Sequence, residues 1–192
     1  MPAKIISMKT PKNICVYCAS SMGNDPVFAG TAKEVGTLIG RLGLNLIYGG
    51  ACCGTMGVLA DAALDSGAYV HGIIPDFFEG YDFEVVHPAL SKLTKVQTMA
   101  QRKEILVKEA DIFLTLPGSY GTMDELFETL VLVQLKQIQK PVLLLNLNGF
   151  YTPLLQMTHT MQECGFLQSG NRELLQVVDS LDELAQELRK LV

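Results

Sequence analysis

The chain has 192 residues, 48% of them apolar and 18% charged, with a net charge of −5. That suits one folded α/β domain and excludes a disordered chain. The acidic balance, with no block of consecutive Lys or Arg, argues against nucleic acid as a partner, and no apolar run approaches the roughly 18–20 residues of a membrane span.

In chain order, residues 1–13 lack the apolar core of a signal peptide, so a cytoplasmic location is expected, with 1–11 a flexible N-terminus. Lys12–Cys18 reads as a buried strand. Asp25-Pro26 then caps a helix that runs to about Leu42. Leu44–Tyr48 is a second strand, Gly49–Gly54 a glycine-rich turn, and Thr55–Ser66 a helix stopped by Gly67. Ala68–Ile74 is a third strand. Residues 75–94 break the rhythm with aromatic and acidic side chains and read as a surface excursion, a lid or pocket wall.

Helix returns over Val96–Ala110, followed by strand Asp111–Leu116, helix Thr122–Gln137, strand Pro141–Leu147 and helix Thr152–Cys164. Leu174–Val178 is a last strand, and Ser180-Leu181-Asp182-Glu183 is a capping box opening a final helix. Repeated β-α-β units with doubly buried strands predict a Rossmann-like, doubly wound, mostly parallel sheet with helices on both faces. No linker or repeat divides the chain, so 1–192 is read as a single domain.

The five cysteines fit reduced thiols. Cys15 and Cys18 form a C-x-x-C, but on a strand an i, i+3 pair points to opposite faces, against a redox or zinc role. Cys52-Cys53 has no second pair at zinc spacing, and His71, His87 and His159 are far apart, so no metal is expected. From Leu126 to Leu135 apolar side chains go nearly all round the helix. Either the helix is deeply buried within the monomer or its second face meets a partner subunit. A homodimer is the expectation.

Three strand ends carry chemistry, and all should lie on one edge of the sheet. They are Cys18–Gly23 with its two hydroxyls, Gly49–Gly57 (G-G-A-C-C-G-T-M-G), and Pro117–Thr122 (P-G-S-Y-G-T). Glycines let backbone approach an anion, and each loop opens a helix whose free N–H groups favour phosphate. There is no G-x-x-x-x-G-K-[ST], and no G-x-G-x-x-G follows the first strand, which argues against a P-loop or an ordinary dinucleotide site. Thr122–Glu125 also fits a T-x-x-E capping box. In the functional alternative Glu125 stands ionised at the mouth of the site. Arg102-Lys103 is either a solvated helix face or turns inward toward the phosphate-rich edge.

Together these segments resemble the LONELY GUY family of cytokinin-activating phosphoribohydrolases, often mislabelled lysine decarboxylases. The signature P-G-G-x-G-T-x-x-E aligns with Pro117–Glu125, and G-G-G-x-x-G-x-M-G with Gly49–Gly57. C-G-S-S aligns with Cys18–Ser21 and M-H-x-R-K with Met99–Lys103, the agreement running from about Asn13 to Phe166. The resemblance implies hydrolysis of the N-glycosidic bond of AMP or an N6-modified AMP, without a cofactor, to free base and ribose 5-phosphate. It places Arg102 and Glu125 at the catalytic positions. Ser21, Gly50, Gly54, Met99, Lys103, Gly118, Ser119, Gly121 and Thr122 would form the substrate and phosphate pocket. The chain departs from the family pattern at Ser119, Ala100, Thr98, Ala51 and Thr55. The alternative is a nucleotide-binding Rossmann-like module without catalysis. A true decarboxylase would need a pyridoxal-phosphate lysine and its partners, and no such constellation is visible.

Overall fold

The computed structural model describes residues 12–78 and 85–192. Seven strands form one sheet: β1 (Asn13–Tyr17), β2 (Asn45–Tyr48), β3 (Val70–Pro75), β4 (Lys92–Val96), β5 (Ile112–Thr115), β6 (Val142–Leu145) and β7 (Leu175–Val178). Their spatial order is β4-β3-β2-β1-β5-β6-β7, and every neighbouring pair is parallel. Among the described residues, α1 (Pro26–Arg41), α2 (Gly54–Asp65), α3 (Met99–Glu109), α4 (Tyr120–Gln134) and α5 (Thr152–Glu163) lie between strands, and α6 (Leu181–Leu191) follows β7. The expected doubly wound α/β architecture is therefore present.

Alternation along the strands divides the core in two. Ile14, Val16, Leu46, Ile112 and Leu114 pack with α1, α2 and α6 on one face. Cys15, Tyr17, Ile47, Phe113 and Leu144 face α3, α4 and α5 on the other. Cys15 and Cys18 thus lie on opposite sides of the sheet, as strand geometry requires. The chain order reverses between β1 and β5, and the crevice beyond their C-terminal ends is where open α/β sheets bind ligands.

Caps set several boundaries. The Asp25 side chain accepts from Val27 N at the start of α1. At α6 the capping box forms: Ser180 Oγ accepts from Glu183 N, and Glu183 Oε2 accepts from Asp179 N.

Three expectations are corrected. Lys92–Val96 is a strand at the sheet edge, and the helix read as Val96–Ala110 starts at Met99, capped by Thr98, whose hydroxyl accepts from Gln101 N. Within the supposed excursion, Asp76–Phe78 is a 3-10 turn, Val86 bridges antiparallel to Ala51, and 79–84 lie outside the described residues, as do 1–11. The third correction concerns α4. It begins at Tyr120 with Ser119 as N-cap, so Thr122 is inside the helix and no T-x-x-E capping box forms. Deep burial of α4 within the monomer is also excluded: Phe127 and Val131 on α4 and Leu135 at its C-cap are 36%, 49% and 60% exposed.

Candidate active site

Hydrogen bonds stitch the three predicted loops together at the C-terminal edge of the sheet. Thr55 Oγ1 accepts from Ala19 N and donates to Ala19 O, while Met56 N donates to Ala19 O and Thr55 N to Ser21 O. Thr122 Oγ1 donates to Cys18 O at 3.2 Å, tying the start of α4 to the end of β1. Tyr151 Oη donates to Leu116 O at 2.7 Å and holds the loop after β5 from the β6 side. Backbone approach is close: at Gly54, whose φ is +58°, a Cβ would fall 2.2 Å from the Ser20 carbonyl carbon. A side chain there is excluded by conformation and by space.

The N-terminus of α4 receives no side-chain cap. Helix N-termini carry N–H groups without intrahelical partners and the positive end of the macrodipole. Gly118 is required by packing, since a Cβ there would lie 2.1 Å from Thr122 Oγ1. Gly121 faces open space, with nothing within 4 Å of a built Cβ. Ser119, which replaces the second glycine of the signature, has φ −111°, extended backbone that serine adopts without strain.

A cleft of about 190 Å³ opens here, lined by Ala19, Ser21, Met22, Gly118, Ser119 and Phe150 among others. It falls below the roughly 300–1,000 Å³ usual for whole small-molecule sites. A larger concavity, about 740 Å³, lies elsewhere, between α4, α5 and β7, and its walls include Phe127, Leu130, Val131, Leu155 and Val177. Its predominantly apolar walls suit packing rather than acid–base chemistry.

Arg102 is buried at 4% exposure, so the solvated-face alternative is excluded. Its Nε donates to Ile73 O and its Nη2 to Gly49 O, both at 3.1 Å, and Nη1 lies 3.8 Å from Met99 Sδ. Two carbonyls, one just after β2 and one within β3, therefore fix the guanidinium plane. Gly49 leaves room for it: a Cβ there would lie 2.1 Å from Nη2. Thr98, where the family often has Asp, supplies the equivalent cap to the helix that carries Arg102.

Glu125 is also buried, 9% exposed, on the second turn of α4. The helix turn that carries it is braced from below by two residues that sequence reasoning missed. Thr129 Oγ1 donates to Glu125 O, and Tyr17 Oη lies 2.9 Å from Thr129 Oγ1. Both charges act on the thiols beneath the site. Burial pushes Cys18 up to about 12; Glu125 adds to the rise and Arg102 opposes it. Cys15 is raised well above its usual range, again by burial first and then by Glu125. These thiols are inert packing groups.

Lys103 is placed differently from a groove-lining cation. Its ammonium contacts Asp124 at 2.9 Å and Glu128 on α4, locking α3 against α4. Burial opposes its charge, but Glu128 and Asp124 outweigh that and raise its pKa. Met99 and Arg102 thus contact each other while Arg102 also reaches Gly49 O, whereas Lys103 turns to α4. Ser21, on the β1 loop, is exposed, and its Oγ accepts from Gly23 N.

Fold and site together define a Rossmann-like α/β protein with glycine-rich loops along one strand edge and a buried arginine and glutamate supplied by two helices of one face. Residues 56–188 match the family model described as "Possible lysine decarboxylase". A cytokinin riboside 5′-monophosphate phosphoribohydrolase of Rhodococcoides fascians is 38% identical over 192 residues, covering 98% of this chain and 96% of that protein. One from Arabidopsis thaliana is 36% identical over 94% of this chain and 84% of its own length. The chain belongs to this family, the LONELY GUY family. In fold it is similar to the molybdenum cofactor carrier protein of Chlamydomonas reinhardtii, with a TM-score of 0.70 at 18% identity over 94% of this chain and 98% of that one.

Proposed function

We propose that this chain is a phosphoribohydrolase that cleaves the N-glycosidic bond of AMP or an N6-substituted AMP, giving free base and ribose 5-phosphate. The observation that carries this reading is the burial of Arg102, fixed by Ile73 O and Gly49 O, and of Glu125 on the second turn of α4, whose N-terminus is uncapped. The names of the relatives point to the same chemistry.

The 5′-phosphate would sit at the α4 N-terminus, against Gly118, Ser119, Gly121 and the Thr122 backbone. Ser21, Gly50 and Gly54 would border the nucleoside, with Met99 beside the arginine. Cleavage of the C1′–N bond develops positive charge on the ribose, as in glycoside hydrolysis. The Glu125 carboxylate would stabilise that charge and orient the attacking water, whose oxygen bonds to C1′ as the base departs. Arg102, fixed in plane, would orient the nucleotide and favour ionised Glu125.

The same reading includes a cytoplasmic homodimer joined through the exposed apolar face of α4 and its neighbouring concavity. Incubation with AMP and with N6-isopentenyl-AMP, followed by chromatography for base and ribose 5-phosphate, tests the activity. Release from at least one is expected. Nucleotide binding without release from either would replace the hydrolase by a binding module.

A further inference from the structure

Cys52 and Cys53 stand apart from the other thiols. Cys15 and Cys18 are sealed in the two cores and Cys164 is exposed and distant in sequence, whereas Cys52 and Cys53 are both half-buried and adjacent. They lie side by side in the Gly49–Gly57 loop. Among the described residues no third His, Cys, Asp or Glu joins them to build a metal site.

The peptide units on either side of the pair are hydrogen-bonded: Cys52 N donates to Val85 O at 2.8 Å, and Cys53 O accepts from Gly57 N at 3.2 Å. The Cys52 carbonyl oxygen lies only 2.0 Å from where a Cβ on Gly57 would stand. Cys53 is the N-cap of α2, and the next residue, Gly54, is the one wedged against Ser20.

We propose that Cys52 and Cys53 are a peroxide-sensitive modification site, closing into a reversible vicinal disulfide that deforms the nucleotide loop and lowers activity. This rests on the reading of Gly49–Gly57 as part of the nucleotide site. The oxidant is hydrogen peroxide. The Cys53 sulfur, at the positive end of α2, attacks one peroxide oxygen; the O–O bond breaks, leaving a sulfenic acid and, after protonation, water. The Cys52 sulfur then attacks the Cys53 sulfur, the S–S bond forms, and hydroxide leaves and takes up the Cys52 proton. Two thiols and one peroxide become one disulfide and two waters.

Neighbouring Cα atoms are about 3.8 Å apart, below the roughly 4.4–6.8 Å that an ordinary disulfide spans. The bridge is therefore strained and readily reduced, as a switch requires. Closing it must twist the peptide unit that lies between the two pinned by Val85 O and Gly57 N, and Gly54 moves with it.

The test uses tryptic peptide Leu42–Lys92, whose only cysteines are Cys52 and Cys53. After peroxide and denaturing alkylation, that peptide should be lighter than its reduced form by two hydrogen atoms and carry no alkyl group. Dithiothreitol should reverse this. AMP hydrolysis should fall on the order of 10-fold or more on oxidation and recover with dithiothreitol, whereas Cys52→Ser and Cys53→Ser, each compared with its own untreated sample, should lose the response. Full alkylation of both thiols after peroxide overturns the proposal, as does a disulfide that leaves AMP hydrolysis unchanged. Because the disulfide is read by mass, a reduced protein that releases base from neither AMP nor N6-isopentenyl-AMP would refute the functional reading separately.

Discussion

Arg102 and Gly49 show how one residue's chemistry depends on another's lack of a side chain. The guanidinium occupies the volume that a Gly49 Cβ would claim, 2.1 Å from Nη2. Gly49→Ala should therefore destabilise the fold by about 1–3 kcal/mol, the usual cost of overpacking, and reduce AMP hydrolysis by displacing Arg102. Denaturant unfolding and turnover assays check both; an unaltered protein would contradict the packing described. His71 is a second residue-scale case. It is buried on β3, with its Nδ1 2.7 Å from Glu109 Oε2 and its Nε2 2.8 Å from Thr94 Oγ1. Burial holds its pKa below 6.5; Glu109 opposes this, and Lys92 adds to it. The neutral form is favoured in the folded state, so His71 contributes stability above about pH 6.5 that is lost as pH falls through its lower folded value. His71→Gln should show a smaller loss of melting temperature on acidification than wild type. Parallel pH profiles would contradict this.

At the scale of elements, the sequence was most legible where burial is complete on both faces. β1, β2, β5 and β6 are short apolar runs, and helix positions followed from caps such as Asp25 and Ser180. β4 escaped because an edge strand need not be apolar: Lys92-Leu93-Thr94-Lys95-Val96 alternates weakly and leaves most of its side chains in solvent. The α4 boundary was misread because T-x-x-E fits a capping box, whereas the Thr122 hydroxyl is engaged by Cys18 O on a strand far away in sequence. Its all-round apolar pattern did signal an exposed second face, now seen at Phe127, Val131 and Leu135. If that face joins two copies, Val131→Glu should convert a dimer to a monomer in analytical ultracentrifugation, because it buries a charge at the contact. A wild-type monomer would remove the dimer from the account.

For the whole molecule, the chain reversal between β1 and β5 decides where the chemistry can gather. The family motifs, scattered over more than a hundred residues, meet on that one edge because every strand pair is parallel and every β-to-α loop therefore opens the same way. Motifs in the sequence named the residues; the carbonyls of Ile73 and Gly49, the brace from Tyr17 through Thr129, and the Lys103 link between α3 and α4 are tertiary and had no local signal. In the proposed mechanism Glu125 acts on the transition state more than on nucleotide binding. This is tested by measuring, for wild type and Glu125→Gln, both base release from AMP and the rise in melting temperature that AMP produces. The account predicts loss of release by at least about 100-fold with the AMP-induced thermal shift retained. Wild-type release rates in Glu125→Gln, or loss of release only through loss of AMP binding, would contradict it.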